Sequence, residues 1–154
     1  MRIDRVRIGY APVPMRSPMR TAIHSTTHTH NALVEICADG VTGQGAALTL
    51  AAGQAQAVCR VLADFAGLLH GRDPQDIRGL AAQLRQRLSL TGQSGIGMLA
   101  LSAIDTALWD LHARAADLPL YRMLGGSPAA LPVYAQPGWL SLSEEELVTE
   151  ALAV

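Results

Sequence analysis

Near the start of the chain, Arg20, Thr21, His24, His28 and His30 bring a guanidinium, a hydroxyl and three imidazoles into a short span. Groups of this kind meet anionic ligands or bind metals. On an extended strand, His28-Thr29-His30 puts two imidazoles on one face. No cysteine or carboxylate lies beside them in sequence to complete a metal set, so no metal ligand is assigned. A solvated or substrate-facing loop is the expectation. Asp105 and Asp110 resemble a carboxylate pair, but five residues apart on a helix they point in different directions, which suits structural contacts. Gly92-Gln-Ser-Gly95-Ile-Gly97 before a helix superficially suggests an anion site. It lacks the preceding strand and the full glycine fingerprint, so phosphate binding is not expected. Glu144, Glu145 and Glu146 suit the first turn of a helix, where negative charge opposes the helix dipole. The chain has no lysine: all 12 basic residues are arginine.

The elements that position these residues are bounded by length and composition. With 154 residues, the chain suffices for one ordinary domain with a real core. It is 49% hydrophobic and 16% charged, which argues for a globular protein with much buried surface. A formal net charge of -1 and scattered arginines argue against nucleic acid or an anionic membrane as partner. The first residues alternate charged and apolar side chains, unlike a signal peptide, and no run approaches the roughly 20 apolar residues of a membrane span. Cys37 and Cys59 fall in a predicted strand and a predicted helix. They read as free buried thiols of a cytoplasmic protein.

Residues 2–10 read as a strand, with Val6, Ile8 and Tyr10 alternating against Arg5 and Arg7. A Pro-punctuated stretch from Pro12 to Asn31 shows no apolar period and is expected to be a long, mobile lid loop. Ala32–Ala38 and Val41–Ala47 flank Asp39-Gly40, a hairpin signal because both turn positions need φ > 0. Three helices follow. The first carries the stripe Val58, Val61, Leu62, Phe65, Leu68 and Leu69. The second opens at Asp73-Pro74-Gln75-Asp76, with Asp73 as expected N-cap and Ile77, Leu80, Ala81, Leu84 and Leu88 as its stripe. A Gly-rich bend from Thr91 to Gly97 leads to the third, at Ala100–Leu118, apolar over more than one face. Beyond Gly126, Leu131–Ala135 reads as a strand, and Ser143 with Glu146 as a capping box opening a last helix.

Ser102-Ala103-Ile104-Asp105, Ala107-Leu108, Asp110, Ala113-Arg114 and Pro119-Leu120 stand at the spacing of a signature helix. Through them the chain closely resembles the mandelate racemase/muconate lactonizing enzyme family of the enolase superfamily. Leu69-His-Gly-Arg-Asp-Pro74 and Leu90-Thr-Gly-Gln-Ser-Gly95 add to the resemblance. Met123 departs from it, where Leu is usual, as does Ala46 at the end of Gly43-Gln-Gly-Ala46, where Glu is frequent.

The resemblance implies an α+β fold: a three-stranded antiparallel sheet followed by a helical bundle, the superfamily's N-terminal capping domain, over residues 1–127. Residues 128–154 would then begin an incomplete (β/α)₇β barrel. The family removes the proton α to a carboxylate, with Mg²⁺ stabilising the enediolate and a Lys or His as base. Those groups lie on later barrel strands, which the chain is expected to stop before. This chain is therefore expected to be inactive alone, with no catalytic residue, no metal ligand and no cofactor of its own. Mg²⁺ is expected for the full-length parent, a racemase or a dehydratase of hydroxy or sugar acids. By the same resemblance, Arg20, Thr21 and His24 belong to the lid that folds over substrate. The expected partner is a small carboxylate substrate once a barrel is supplied, with self-association possible. The other reading is a non-catalytic, stand-alone capping or dimerisation module.

Overall fold

The computed structural model describes residues 1–135 and 137–153. Its sheet has three antiparallel strands, β1 (Ile3–Arg20), β2 (Ser25–Ala38) and β3 (Val41–Thr49), in the order β1-β2-β3. Helices α1 (Ala52–Leu69), α2 (Ile77–Arg87) and α3 (Gly95–Ala115) follow, then a single turn, α4 (Leu120–Met123), and α5 (Glu144–Leu152).

The hairpin at Asp39-Gly40 forms as the sequence requires, with φ of 51° and 81° at the two turn residues. Alternation along the strands gives the sheet one apolar face. Ile3, Val34, Ile36 and Ala47 are buried there, while Arg7, Glu35 and Gln44 point away. Val58, Leu62, Phe65 and Leu69 from α1 join Leu80 and Leu84 from α2 and Ile104, Leu108 and Leu111 from α3 in the same core. Truncating the fully buried Phe65 to alanine would cost about 3–5 kcal/mol.

Helix α3 lies directly against β3. A Cβ at Gly43 would run into the Ala107 carbonyl oxygen, and one at Gly45 into that of Ala103, so the backbones meet where both strand residues lack side chains. The contact is closed by Asp110, whose Oδ2 accepts from the Gln44 N–H at 2.8 Å and from Arg114 Nε at 2.8 Å. Asp105 and Asp110 thus part company as their spacing implies.

Cys37 is buried and Cys59 half-buried, and both are free. The Cys59 thiol donates to the Gly9 carbonyl at 3.4 Å, and burial pushes its pKa up.

Four expectations are corrected. The stretch from Pro12 to Asn31 is not a long loop: β1 and β2 continue as a two-stranded ribbon, pairing Pro12 with His30, Pro14 with His28 and Arg20 with Ser25. Thr and His alternate there without an apolar period, but β-branched threonine suits a strand. The prolines sit on β1, an edge strand, where a missing N–H is tolerated. Between Pro14 and Met19, β1 bulges by running four residues against one of β2.

The N-cap of α2 is Asp76, whose side chain accepts from Gly79 N at 3.0 Å, and not Asp73. Asp73 instead accepts from Gln75 N at 3.0 Å in a turn around buried Pro74, which delays the helix by one turn. Helix α3 begins at Gly95, inside the expected bend, and ends at Ala115, short of Leu118, because Asp117 takes a positive φ of 53° ahead of Pro119. Finally, Leu131–Ala135 forms no strand; no described strand offers its backbone a partner, and Leu131, Val133 and Tyr134 are 81%, 92% and 85% exposed. The capping box of α5 is formed by Ser143 and Glu146 as read, with Ser143 N donating to Glu146 Oε2 at 2.7 Å. That bond holds the Glu146 carboxyl below the usual glutamate range.

Candidate functional site

The ribbon carries Arg20, Thr21 and His24 to its tip, where residues 21–24 turn the chain between β1 and β2. Thr21 builds this turn. Its N–H donates to the His24 carbonyl at 2.8 Å, and its Oγ1 accepts from His24 N at 2.9 Å and Ile23 N at 3.3 Å. The hydroxyl is thereby engaged within the chain, so Thr21 shapes the tip while Arg20 and His24 present their exposed side chains from it. Among the described residues neither makes an ion pair. Beside them Ile23 is 83% exposed, an apolar group between two basic ones.

The base of the tip is tied to a distant part of the chain. Leu140 N donates to the Arg20 carbonyl at 3.1 Å, and Ser141 Oγ donates to the Pro18 carbonyl at 2.7 Å. Gly138 N in turn donates to Glu150 Oε2 of α5 at 2.9 Å. The links to Pro18 and Arg20 join positions more than a hundred residues apart, and no local sequence signal announces them.

His28 and His30 share a face of β2, as their spacing predicts, with ring centroids 6.3 Å apart. Tyr10 joins them from β1: its ring stacks on His30 at 6.0 Å, and its hydroxyl lies 2.6 Å from His30 Nδ1. Sequence reading missed Tyr10 as a member of this group, because the register of β1 on β2 brings it there from 20 residues away.

Among the clefts elsewhere are two against the helices and the sheet. One of about 610 Å³ runs between α2 and α3, lined by Arg78, Arg85, Asp105 and Trp109 among others. The other, about 670 Å³, crosses the outer sheet face at Arg7, Glu35 and Gln44. There the Gln44 amide, and then Arg7, hold the Glu35 carboxyl below its usual range.

Magnesium asks for a near-octahedral set of oxygen ligands. Among the described residues, no group of three or more His, Cys, Asp or Glu side chains is placed to hold a metal. The residues present therefore do not fit the ion, and no chemical step is assigned to it. No helix among the described residues is long and apolar enough to cross a membrane.

Comparison with known proteins places this geometry. Residues 4–125 match the Mandelate racemase / muconate lactonizing enzyme, N-terminal domain. The 3,6-anhydro-alpha-L-galactonate cycloisomerase of Streptomyces coelicolor is 34% identical over 97% of this chain and 42% of its own length. The L-talarate/galactarate dehydratase of Salmonella typhimurium is 31% identical over 89% of this chain and 36% of its own. Among solved structures, the L-talarate dehydratase from a Polaromonas species, complexed with Mg and L-glucarate, superposes with a TM-score of 0.88 at 31% identity. That match covers 99% of this chain and 43% of the other. The chain thus spans about two fifths of the length of such relatives. With three strands, a helical layer and the signature helix all in place, the chain belongs to the mandelate racemase/muconate lactonizing enzyme family, of which it carries the N-terminal domain.

Proposed function

We propose that this chain is the capping part of a mandelate racemase-like, Mg²⁺-dependent enzyme that removes the proton α to a carboxylate of a small hydroxy or sugar acid. The β1–β2 ribbon is its lid: Arg20 and His24 offer donors to anionic or hydroxyl groups of the acid, and Thr21 fixes the turn that aims them. The chain alone is expected to have no turnover, because among its described residues no cluster of three or more His, Cys, Asp or Glu is placed to hold the metal that the family's chemistry uses. The observation that carries this reading is the exposed Arg20 and His24, without an ion-pair partner among the described residues, at the tip of a ribbon built into that family's N-terminal domain. Relatives named as dehydratases and cycloisomerases of sugar acids support the substrate class. A cytoplasmic location belongs to the same proposal and is supported by the two free cysteines.

The experiment is a chimera in which residues 1–127 replace the N-terminal domain of the Salmonella dehydratase. Galactarate dehydration by the chimera, its absence in the isolated chain, and a KM raised about tenfold, or about 1.4 kcal/mol, by Arg20→Ala or His24→Ala are expected. Turnover by the isolated chain, or a folded, active chimera indifferent to both substitutions, overturns the reading.

A further inference from the structure

Two helices of this chain carry charge of a single sign each. From Ile77 to Ile104 there is no aspartate or glutamate, while Arg78, Arg85 and Arg87 stand on α2. From Met123 to Ala153 there is no arginine, lysine or histidine, while Glu144, Glu145, Glu146 and Glu150 stand on α5. Among the described residues none of these seven side chains is in an ion pair, and the two helices do not touch. A basic and an acidic helix on one chain, each without its opposite, are complementary between copies.

Helix α2 has two stripes. Ile77, Leu80 and Leu84 enter the core, whereas Arg78, Ala81, Ala82 and Arg85, at i, i+3, i+4 and i+7, line the cleft of about 610 Å³ beside α3. The alanines let a second helix come close, and the two guanidiniums stand two turns, about 10 Å, apart along α2. Across the cleft α3 supplies Asp105 and the half-buried Trp109. An aromatic wall, a small-residue floor and arginines at the ends suit the apolar face of a helix, and tryptophan and arginine are the types that most often carry binding energy. Asp105 repels acids from the α3 wall, so an acidic helix turns its carboxylates toward α2. Helix α5 has the matching face. Glu146, Leu147 and Glu150 are turned to residues 138–143: Glu146 closes the capping box, Glu150 accepts from Gly138 N, and Leu147 lies against Gly138. Opposite them at helical spacing are Glu144, Glu145, Val148 and Leu152. No residue of α5 is buried, and Val148 and Leu152 are 59% and 83% exposed.

We propose that the α2–α3 cleft is a docking site for α5 of a second copy of this chain. Val148 and Leu152 lie on Ala81, Ala82 and Trp109, and Glu144 and Glu145 face the arginines of α2. One helix of nine residues makes a small contact. The exchange is reciprocal, each copy lending α5 to the other about a two-fold axis, which doubles the contact and closes the pair.

The test mixes charge-reversed chains in sedimentation velocity. All chains carry Leu131→Ser, Val133→Ser and Tyr134→Ser, which removes association through that exposed apolar row. This background chain should dimerise, about tenfold more weakly at roughly 0.5 M than at roughly 0.05 M salt. Adding Arg78→Glu/Arg85→Glu makes the cleft repel α5, and adding Glu144→Arg/Glu145→Arg makes α5 repel the cleft, so each variant alone should be monomeric. Mixed in equal amounts, the two should form a heterodimer, because both contacts then join opposite charges again. Arginines in the first turn oppose the α5 dipole, so Val148→Ser/Leu152→Ser, which leaves the capping box intact, is the second variant on that helix. It should be monomeric with unchanged circular dichroism. A background chain that stays monomeric to millimolar concentration overturns the proposal. So do reversed variants that keep their helicity yet stay apart when mixed, and a dimer that survives Val148→Ser/Leu152→Ser. A mass that grows past two copies would make the contact head-to-tail and overturn the reciprocal pairing.

Discussion

Gly43 and Gly45 set how closely the signature helix approaches the sheet, and they have no freedom to change. Gly43→Ala or Gly45→Ala pushes a methyl into the α3 backbone, which cannot rotate aside as a side chain would. Each should cost about 3 kcal/mol or more, at the upper end of overpacking effects. Urea denaturation of the chain checks this, and a loss below about 1 kcal/mol would mean that α3 can slide on β3. Asp110 acts at the same junction. Asp110→Ala should cost about 1–2 kcal/mol, because it removes a charged acceptor from both Gln44 N and Arg114. Asp105→Ala should stay within about 0.5 kcal/mol, since Asp105 makes no such bond among the described residues. Equal losses at the two positions would contradict the division of labour between them.

The ribbon of β1 and β2 replaces the expected mobile lid, and hydrogen exchange distinguishes the two. Slowed amides should run along β2 as far as Thr26, with fast exchange confined to Ala22 and its neighbours at the tip; fast exchange throughout residues 12–31 would favour the loop. The element was hard to read because apolar alternation marks a strand only where one face is buried. Thr26 to His30 extend past most of the core, so their face carries Thr and His. The hairpin at Asp39-Gly40 was legible because its backbone angles demand those residue types, whatever packs nearby. The α5 capping box was legible for the same local reason, and it carries a pH dependence. The Glu146 pKa is held below its unfolded value, so the cap's contribution is fully present above that value and is lost as pH falls through the lower, folded one. Helicity of residues 144–152 and the Ser143 amide shift should change together below the ordinary glutamate range. Ser143→Ala should weaken this helix and remove that coupling; a coupling that survives would detach Glu146 from the cap. The candidate site was only half legible. Arg20 and His24 were found through the family pattern, whereas Tyr10 beside His30 and Asp110 on Gln44 depend on register and on helix placement.

At the scale of the molecule, Leu131, Val133 and Tyr134 are apolar groups left facing water in a row. Burying each one fully is worth roughly 1.5–3 kcal/mol, enough in combination to draw copies of the chain together at high concentration. Replacing the three with serine should lower the mass seen by light scattering and leave the circular dichroism unchanged. A monomeric parent chain at every concentration tested would remove the basis for association. The bonds from Leu140 and Ser141 to the foot of the lid have a further consequence. They make the ribbon and the 138–142 segment parts of one linkage, which the Gly138 bond to Glu150 extends to α5. A ribbon hinged only at its own strands could swing freely; this one has its base fastened to a segment beyond residues 4–125 of the matched N-terminal domain. On the proposed lid reading, any stroke at Arg20 and His24 is therefore also a pull on that segment.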